Sequence, residues 1–527
     1  MDLVEWTVST ARAVLELTRS GVVRPVRPDR LLAMGEGLVR YGATVAAGCV
    51  AGAARHPDRT AIVDDAGWLS YAELHRRTDR LARALADTGV GPGMRVGVLC
   101  RNHRGPVETQ IAVGKLGADA VLLNTGLPAS QLAAVVEELG LHTVVADEEY
   151  VPLVEGCAVV TAWGEGSPTL EDLIARDGRA PLPLLPPTGH TIVLTSGTTG
   201  PPKGARRPAP HSLAPVAAVL SAIPLRAGGT VMIAAPLLHT WGNAALLLSL
   251  LHGAPMVLTR RFDPEQLVRI VEDLRCDAVF AVPVMLQRLM EIDAPDVWQQ
   301  HRPRVVAVSG SALTASLATA FMDRFGEVLY NFYGSTEVSW VSIAGPADLR
   351  AAPGTAGRAP TGTRLRILDA DGSALPSGQE GRVFVGNDMP FDGYTRGGAD
   401  VERVDGLLGT GDVGHLDADG RLHLTGRADD MIVSGGENVH PGPVEELLGA
   451  RPEVREAAVT GVPDAEFGQR LAAFVVLTEG TEATADDVRG WVRAELSRFA
   501  VPRDVEFVDE LPRNATGKIL RRDLHRH

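Results

Sequence analysis

The chain is predicted to be an α/β protein: a large N-terminal domain of two βαβ-type sheets plus a small β-barrel, followed by a small α+β domain. Three observations predict this. Its 527 residues are too many for one compact core, so two to four domains are expected. Up to about residue 345, short apolar runs alternate with helical patterns, as in βαβ units and parallel sheets. Beyond about residue 364, short strands are divided by Asp-Gly and Gly turns, which reads as a small antiparallel sheet or barrel.

The elements follow in order. Residues 31–52 lean apolar, are rich in glycine and are interrupted by Glu36 and Arg40. They read as an amphipathic helix, with contact at a membrane surface as the lesser alternative. "RVGVLC" is a strand, followed by a helix over about 106–116 and a strand in "AVLLN". "TVMIAAP", "DAVFAV", "RVVAVSG" and "EVLYNFY" repeat the theme. Ligands of such sheets sit beyond the carboxyl ends of the strands. The loops "LTSGTTG", "AVSGSAL" and "NFYGSTE" all leave such ends, so they can face one crevice. After residue 364 come "RLRILDADG", "GRVFVG" and "GRLHLTGR". In the last 90 or so residues, "AAVTGV" and "AAFVVL" read as strands, and 485–498 reads as a helix with Thr484 as N-cap. No solenoid repeat or low-complexity tract is present.

Composition excludes several classes. Apolar residues at 45% and charged residues at 22% are an ordinary globular balance. A net charge of −14 argues against a general nucleic-acid binder, so any phosphate site must be local. Cys49, Cys100, Cys157 and Cys276 are widely spaced and make neither a metal-ligand pattern nor a disulfide framework. They read as reduced thiols, and a cytoplasmic location is expected. The N-terminus has no basic stretch ahead of an apolar core, so it does not read as a secretory signal, and no transmembrane segment is expected.

The stretch "LTSGTTGPPKGARR" at 194–207 carries the first chemical signal. Glycines let backbone N–H groups approach an anion, hydroxyls add donors, and Lys203 supplies a compact positive charge. Those are the needs of a polyphosphate. The order differs from a P-loop, which ends Gly-Lys-Ser/Thr and runs into a helix. Taken alone, the stretch could also be a surface turn.

Four further stretches join it: "YNFYGSTE" at 330–337, "GTGDVGHLDADG" at 409–420, "GRADDMIVSGGENVHPGPVEE" at 426–446 and "LPRNATGKILRRDL" at 511–524. In this order and at these separations the five resemble the adenylate-forming superfamily, which holds acyl-CoA synthetases, luciferases and nonribosomal adenylation domains. The likeness covers the chain after roughly its first 50 residues and is strongest to fatty-acyl-CoA synthetases of an actinobacterial branch. It implies domains at 1–428 and 431–527, with a hinge at 429–430 about which the C-terminal domain rotates. It also implies two steps. A carboxylate attacks the α-phosphate of ATP, giving acyl-AMP and pyrophosphate. The thiol of coenzyme A then takes the acyl group and releases AMP.

Residue roles follow from the same resemblance. Thr195, Ser196, Gly197, Thr198, Thr199 and Gly200 would hold the β- and γ-phosphates, with Lys203 beside them. Thr336 would bond the α-phosphate and Glu337 would bind Mg²⁺. Ser309, Gly310, Ser311 and Ala312, with Asn331, Phe332, Tyr333, Gly334 and Ser335, would line the nucleotide, Tyr333 offering its ring to adenine. Asp412 would accept from the ribose hydroxyls, with Arg427 nearby. Lys518 would be the catalytic lysine at the α-phosphate, Asp429 the hinge, and Gly435 and Gly436 the border of the pantetheine tunnel. His239 would gate between the acyl and nucleotide sites, and the acyl pocket would draw on Ala281, Val282 and Trp340 as well. The expected partners are a small-molecule carboxylic acid with a medium or large hydrophobic acyl group, ATP and coenzyme A. Oligomeric state stays open, a homodimer among the alternatives.

The pattern has departures. Leu238 stands where an aromatic is usual, Ala500 where lysine is usual, and "GARRPAP" follows Lys203 in place of an apolar strand start. Because of Ala500, a ligase confined to the thioesterification half-reaction stays open beside the full acyl-CoA ligase, as does transfer to a carrier protein.

Overall fold

The computed structural model describes residues 13–527 except 196–202, 208–209, 211, 294–297, 390, 392, 396–400, 435–436, 465–467, 515–516 and 525–527. Two large sheets form the N-terminal part. The eight-stranded sheet runs Ser342–Ala344, Leu329–Tyr333, Val305–Val308, Cys276–Ala281, Thr230–Ile233, Met256–Leu258, Thr60–Asp64 and Gly67–Ser70. Its inner strands are parallel and both edge pairs are antiparallel. The six-stranded sheet runs Ala158–Trp163, Thr143–Asp147, Arg95–Leu99, Asp119–Leu122, Thr191–Thr195 and Lys203–Arg207. Buried parallel strands need apolar side chains on both faces, which is why these runs lack polar alternation.

"GARR" proves compatible with a strand after all. Lys203–Arg207 pairs antiparallel with Thr191–Thr195, and Ala205 is fully buried. The phosphate-type loop therefore joins two hairpin strands at the edge of the six-stranded sheet.

The helix Arg104–Leu116 holds the two large sheets together. Val107 and Ile111 pack into the core of the eight-stranded sheet, while Ala112, Val113 and Leu116 pack into that of the six-stranded sheet. A helix buried on all sides must pair its own charges internally. Glu108 is 1% exposed and accepts from Arg77 Nε at 2.5 Å. Lys115 is fully buried and donates to Asp79 at 2.6 Å and to Thr78 Oγ1 at 2.7 Å.

Residues 31–52 are two helices, not the single one expected. Pro28–Tyr41 ends at Gly42, whose φ of 66° breaks the helix, and Thr44 caps Val45–Arg55 by accepting from the Ala47 N–H.

Strands Arg364–Leu368, Gly381–Gly386, Leu407–Leu416, Arg403–Val404 and Leu422–Arg427 form one antiparallel sheet. The pairings among the described strands do not close it into the expected barrel. The last sheet pairs Val454–Asp464 with Gly468–Leu477, and Val444 and Leu448 of helix Pro441–Gly449 and Val488 and Val492 of helix Ala485–Glu495 pack over its Val459 and Val475. Thr484 caps the second helix in a capping box with Asp487. That helix stops at Glu495, short of the expected 498, because the chain turns extended at Leu496. Ala500 is buried in this small core.

Sequence spacing also hid a cluster. Cys100, His103 and Asp147 bring their ligand-type atoms within 4.8 Å of one another at the carboxyl edge of the six-stranded sheet. His103 Nδ1 accepts from the Gly105 N–H at 3.0 Å, so the ring proton sits on Nε2, which donates to Asp147 at 2.7 Å. The group is thus a buried His–Asp pair. Burial alone would raise the Asp147 pKa, but His103, the Arg101 N–H and Arg260 together outweigh it and hold the carboxyl below its usual range.

Removing one partner of the Arg77–Glu108 pair leaves a charge stranded in the central helix. Arg77→Ala is expected to destabilise by about 3–5 kcal/mol, read as a lowered urea midpoint. The double change Arg77→Leu/Glu108→Leu should recover most of that loss.

Candidate active site

A continuous cavity of about 1700 Å³ opens between the sheets and the C-terminal part. Polar groups gather at one arm: Thr336, Glu337, Asp412, Arg427, Asp429 and Lys518 all line it. The other arm passes His239 and runs along Val216, Val219, Leu247 and Leu248 to Thr44 and Val45.

The loop after Leu329–Tyr333 is shaped by backbone. Gly334 carries no Cβ because one would lie 2.0 Å from the Ser339 carbonyl oxygen. Ser339 itself has φ 66°, and its N–H donates to the Ser335 carbonyl at 2.9 Å. Asn387 clamps the far side by donating to the carbonyls of Val338 (2.7 Å) and Trp340 (2.9 Å). This tight turn sets three side chains at the cavity wall. Thr336 Oγ1 lies 3.3 Å from Thr240 Oγ1. Glu337 accepts from Ser335 Oγ at 2.8 Å on one oxygen and from the Tyr394 hydroxyl at 2.9 Å on the other.

Asp412 joins this loop to the antiparallel sheet. It accepts a hydrogen bond from the Tyr333 hydroxyl, and its own N–H donates to Thr410 Oγ1 at 3.0 Å. Arg427, its cross-strand partner, stands 3.6 Å away and also holds Asp429 at 2.7 Å. Burial pushes the Asp412 pKa up, against Tyr333 and Arg427, which favour the carboxylate. Asp429 goes the other way: Arg427 outweighs its partial burial and lowers it. The Tyr333 phenol is raised well above its usual range, first by burial and then by the Asp412 charge.

Lys518 reaches the same place from the end of the chain. It sits on a turn closed by Asn514, whose Oδ1 accepts from the Lys518 N–H at 2.9 Å. Gly517 is buried against the N-terminal part, where a Cβ would come within 2.6 Å of Val284 Cγ1. The Lys518 ammonium is close enough to favour the carboxylate forms of both Asp412 and Asp429, against the burial that raises Asp412. Helix Pro441–Gly449 braces this arrangement: Glu446 accepts from the Ala315 N–H at 3.2 Å, and the Gly449 carbonyl accepts from Ser316 Oγ at 3.3 Å.

The other expected residues divide into three groups. Ser309, Gly310, Ser311, Ala312, Asn331, Phe332, Tyr333, Gly334 and Ser335 line the cavity, as do His239, Val282 and Trp340. Ala281 does not; it is buried, and its carbonyl accepts from Trp241 Nε1 at 3.0 Å. Ser196, Gly197, Thr198, Thr199, Gly200, Gly435 and Gly436 lie outside the described residues, and Thr195 and Lys203 are described by backbone alone. Three positioning residues escaped the sequence reading. Asn102 donates to the carbonyls of Ile233 and Ala235 at 3.1 and 2.9 Å and accepts from the Leu237 N–H at 2.8 Å. It thereby ties the edges of the two large sheets beside His239. Tyr394 and Thr240, which meet Glu337 and Thr336, are the others. Each is an isolated polar residue far in sequence from its partner.

His239 precedes helix Thr240–His252 and lines the cavity between the two arms. Its Nε2 is enclosed without a hydrogen-bond partner among the described residues. Burial lowers its pKa to about 4. Above pH ~6.5 the ring is neutral in both folded and unfolded chains. Between that pH and about 4 only the unfolded chain takes the proton, so stability falls as pH falls through this window. His239→Gln removes the term. Its urea midpoint should decline less steeply than wild type from pH 6.5 to 4.5, by up to about one bound proton.

Comparison with known proteins agrees with this geometry. The sequence pattern of the AMP-binding enzyme family matches residues 50–395, and that of the AMP-binding enzyme C-terminal domain matches residues 443–518. A feruloyl-CoA synthase from an Amycolatopsis species is 34% identical over 483 residues, covering 89% of this chain and 96% of the relative. The o-succinylbenzoate CoA synthetase of Bacillus subtilis, solved with its acyl-adenylate intermediate, superposes with a TM-score of 0.79 at 26% identity, covering 91% of this chain and 97% of that one. An amide bond synthetase from Marinactinospora thermotolerans superposes with a TM-score of 0.80 at 29% identity, covering 92% and 98%. The chain belongs to the AMP-binding enzyme family and is an adenylate-forming ligase of the acyl-CoA synthetase kind.

Proposed function

We propose that this ligase activates a hydrophobic carboxylic acid, with residues 1–428 binding ATP and acid and residues 431–527 turning about a hinge at 429–430. The observation that carries this reading is one cavity with two unlike arms. Lys518 and three carboxylates meet at one arm, and aliphatic walls form the other.

The chemistry divides among the groups as follows. Asp412 takes the ribose hydroxyls, and its hydrogen bond from Tyr333 fixes its orientation. Thr336 donates to the α-phosphate, its hydroxyl held beside that of Thr240. Lys518 stands where negative charge concentrates as the carboxylate oxygen bonds to phosphorus. An ammonium positioned there stabilises that state more than the ground state. Pyrophosphate leaves, and the acyl-adenylate stays with its acyl chain in the aliphatic arm. Neutral His239 separates the arms, so no fixed cation competes there with Lys518 for the carboxylate.

Glu337 suits a Mg²⁺ ion. Each of its oxygens accepts one hydroxyl hydrogen bond, and an ionised carboxylate has about four acceptor sites, so ligand capacity remains. Such an ion, held by Glu337, would supply charge neutralisation for the phosphates. In the second step the coenzyme A thiol attacks the acyl carbon and AMP leaves. Asp429, half-buried and held by Arg427, is the pivot that would free Lys518 from the cleft for that step.

The reading is tested by assaying the half-reactions separately. Lys518→Ala should cut acid-dependent pyrophosphate release by roughly 10²- to 10³-fold, the size expected for losing one electrostatic stabiliser. Acyl-CoA formation from supplied acyl-AMP should stay within a few fold of wild type. Equal loss of both would remove Lys518 from the first step. Wild type that forms acyl-CoA only from acyl-AMP would favour a ligase confined to thioesterification.

A further inference from the structure

Helix Pro28–Tyr41 presents its apolar face to solvent. Leu31, Leu32, Leu38 and Val39 are 59, 76, 48 and 78% exposed. At 100° per residue they fall on one arc with Pro28 and Gly35, and no charged residue interrupts it. Gly37 and Tyr41, on the opposite side, are buried against the protein, and Asp29, Glu36 and Arg40 border the arc. Packing among the described residues therefore does not explain the apolar face.

A second exposed apolar segment lies beside the helix. Arg40 donates to the Pro183 carbonyl at 3.0 Å, and the next two residues, Leu184 and Leu185, are 83 and 73% exposed. Between these two apolar rims lies the end of the aliphatic arm of the cavity, lined there by Tyr41, Ala43, Thr44, Gly189 and His190. Gly42 closes the seam against Thr188, whose Oγ1 a Cβ would meet at 3.3 Å. Soluble proteins seldom expose contiguous apolar area of this kind without using it.

Charge indicates what covers it. Residues 13–41 hold five arginines against three acids, in a chain of net charge −14. Arg24 and Arg27 stand exposed on the approach to the helix. An apolar arc on a segment whose arginines outnumber its acids, Arg27 and Arg40 pairing with Asp29 and Glu36 and Arg24 standing exposed, fits an anionic bilayer surface on an otherwise acidic protein. We propose that helix Pro28–Tyr41 and Leu184–Leu185 form a lipid-docking rim, through which a membrane-dissolved acid enters the aliphatic arm without crossing water. The entry role rests on the acyl-binding reading of that arm; the docking role does not.

The test uses the full chain and vesicles of phosphatidylcholine and phosphatidylglycerol in equal parts. Wild type should float with them, and Leu32→Glu/Val39→Glu should lose roughly ten-fold or more in partitioning. Leu184→Ser/Leu185→Ser should weaken flotation in the same direction. Turnover of a short, water-soluble acid should be equal in all three, while the KM for a long acid supplied in vesicles rises only in the variants. Flotation lost in the variants with no acid turned over by any protein keeps the dock and removes the acyl reading. Wild type that does not float, or variants that float equally, overturns the proposal. So does a wild-type dimer, seen by light scattering, that Leu32→Glu/Val39→Glu splits without any flotation, since a second copy would then be the occupant.

Discussion

The carboxylate of Asp412 is the point at which separate parts of the chain meet. Tyr333 reaches it from the eight-stranded sheet, Arg427 from the neighbouring strand of the antiparallel sheet, and Lys518 acts on it from the C-terminal part. Burial makes a charge there costly unless such partners are present. The same Arg427 holds Asp429, where the chain passes into its last sheet. The Asp412 charge and the exit to the C-terminal part are therefore linked through Arg427. A change at either end is felt at the other.

Rigid parts of the fold aim at this unit. Helix Arg104–Leu116 fixes the spacing of the two large sheets because its side chains belong to both cores. Asn102 then locks the carboxyl edges together by three hydrogen bonds. With those edges fixed, the loop 334–340 and the start of helix Thr240–His252 stand face to face, and Thr336 meets Thr240. The C-terminal part contributes a lysine on a short turn, seated by Gly517 against Val284. Precision on one side and a seat for a removable group on the other is what a two-step ligase requires.

Much of this was legible in the sequence because it rests on local rules. The βαβ texture, the Asp-Gly turns after residue 364 and the Thr484 cap are all short-range signals. The lining residues 309–312 and 333–337 sit at strand exits, where such sheets bind ligands. What escaped depends on distance or on one backbone angle. Gly42 divides residues 31–52 into two helices, yet glycines are frequent throughout that stretch. Ala281 lies beside lining residues, but its side chain turns into the sheet and only its carbonyl is used. Tyr394 meets Glu337, and His103 meets Asp147, across stretches of chain that no periodicity spans. The outward apolar arc of Pro28–Tyr41 has the same pattern in sequence as an inward one; only the fold shows which side is covered.

The central claim is that the carboxylate oxygen of the acid, not water or the thiol, attacks the α-phosphate in this cavity. That oxygen then bridges carbon and phosphorus in the acyl-adenylate and leaves with AMP when the thiol attacks the acyl carbon. Full turnover with a carboxylic acid labelled by ¹⁸O in both oxygens, followed by mass spectrometry of the AMP, reads this directly. The account predicts AMP carrying one labelled oxygen for each acyl-CoA formed. Unlabelled AMP, or label found in inorganic phosphate, would contradict it.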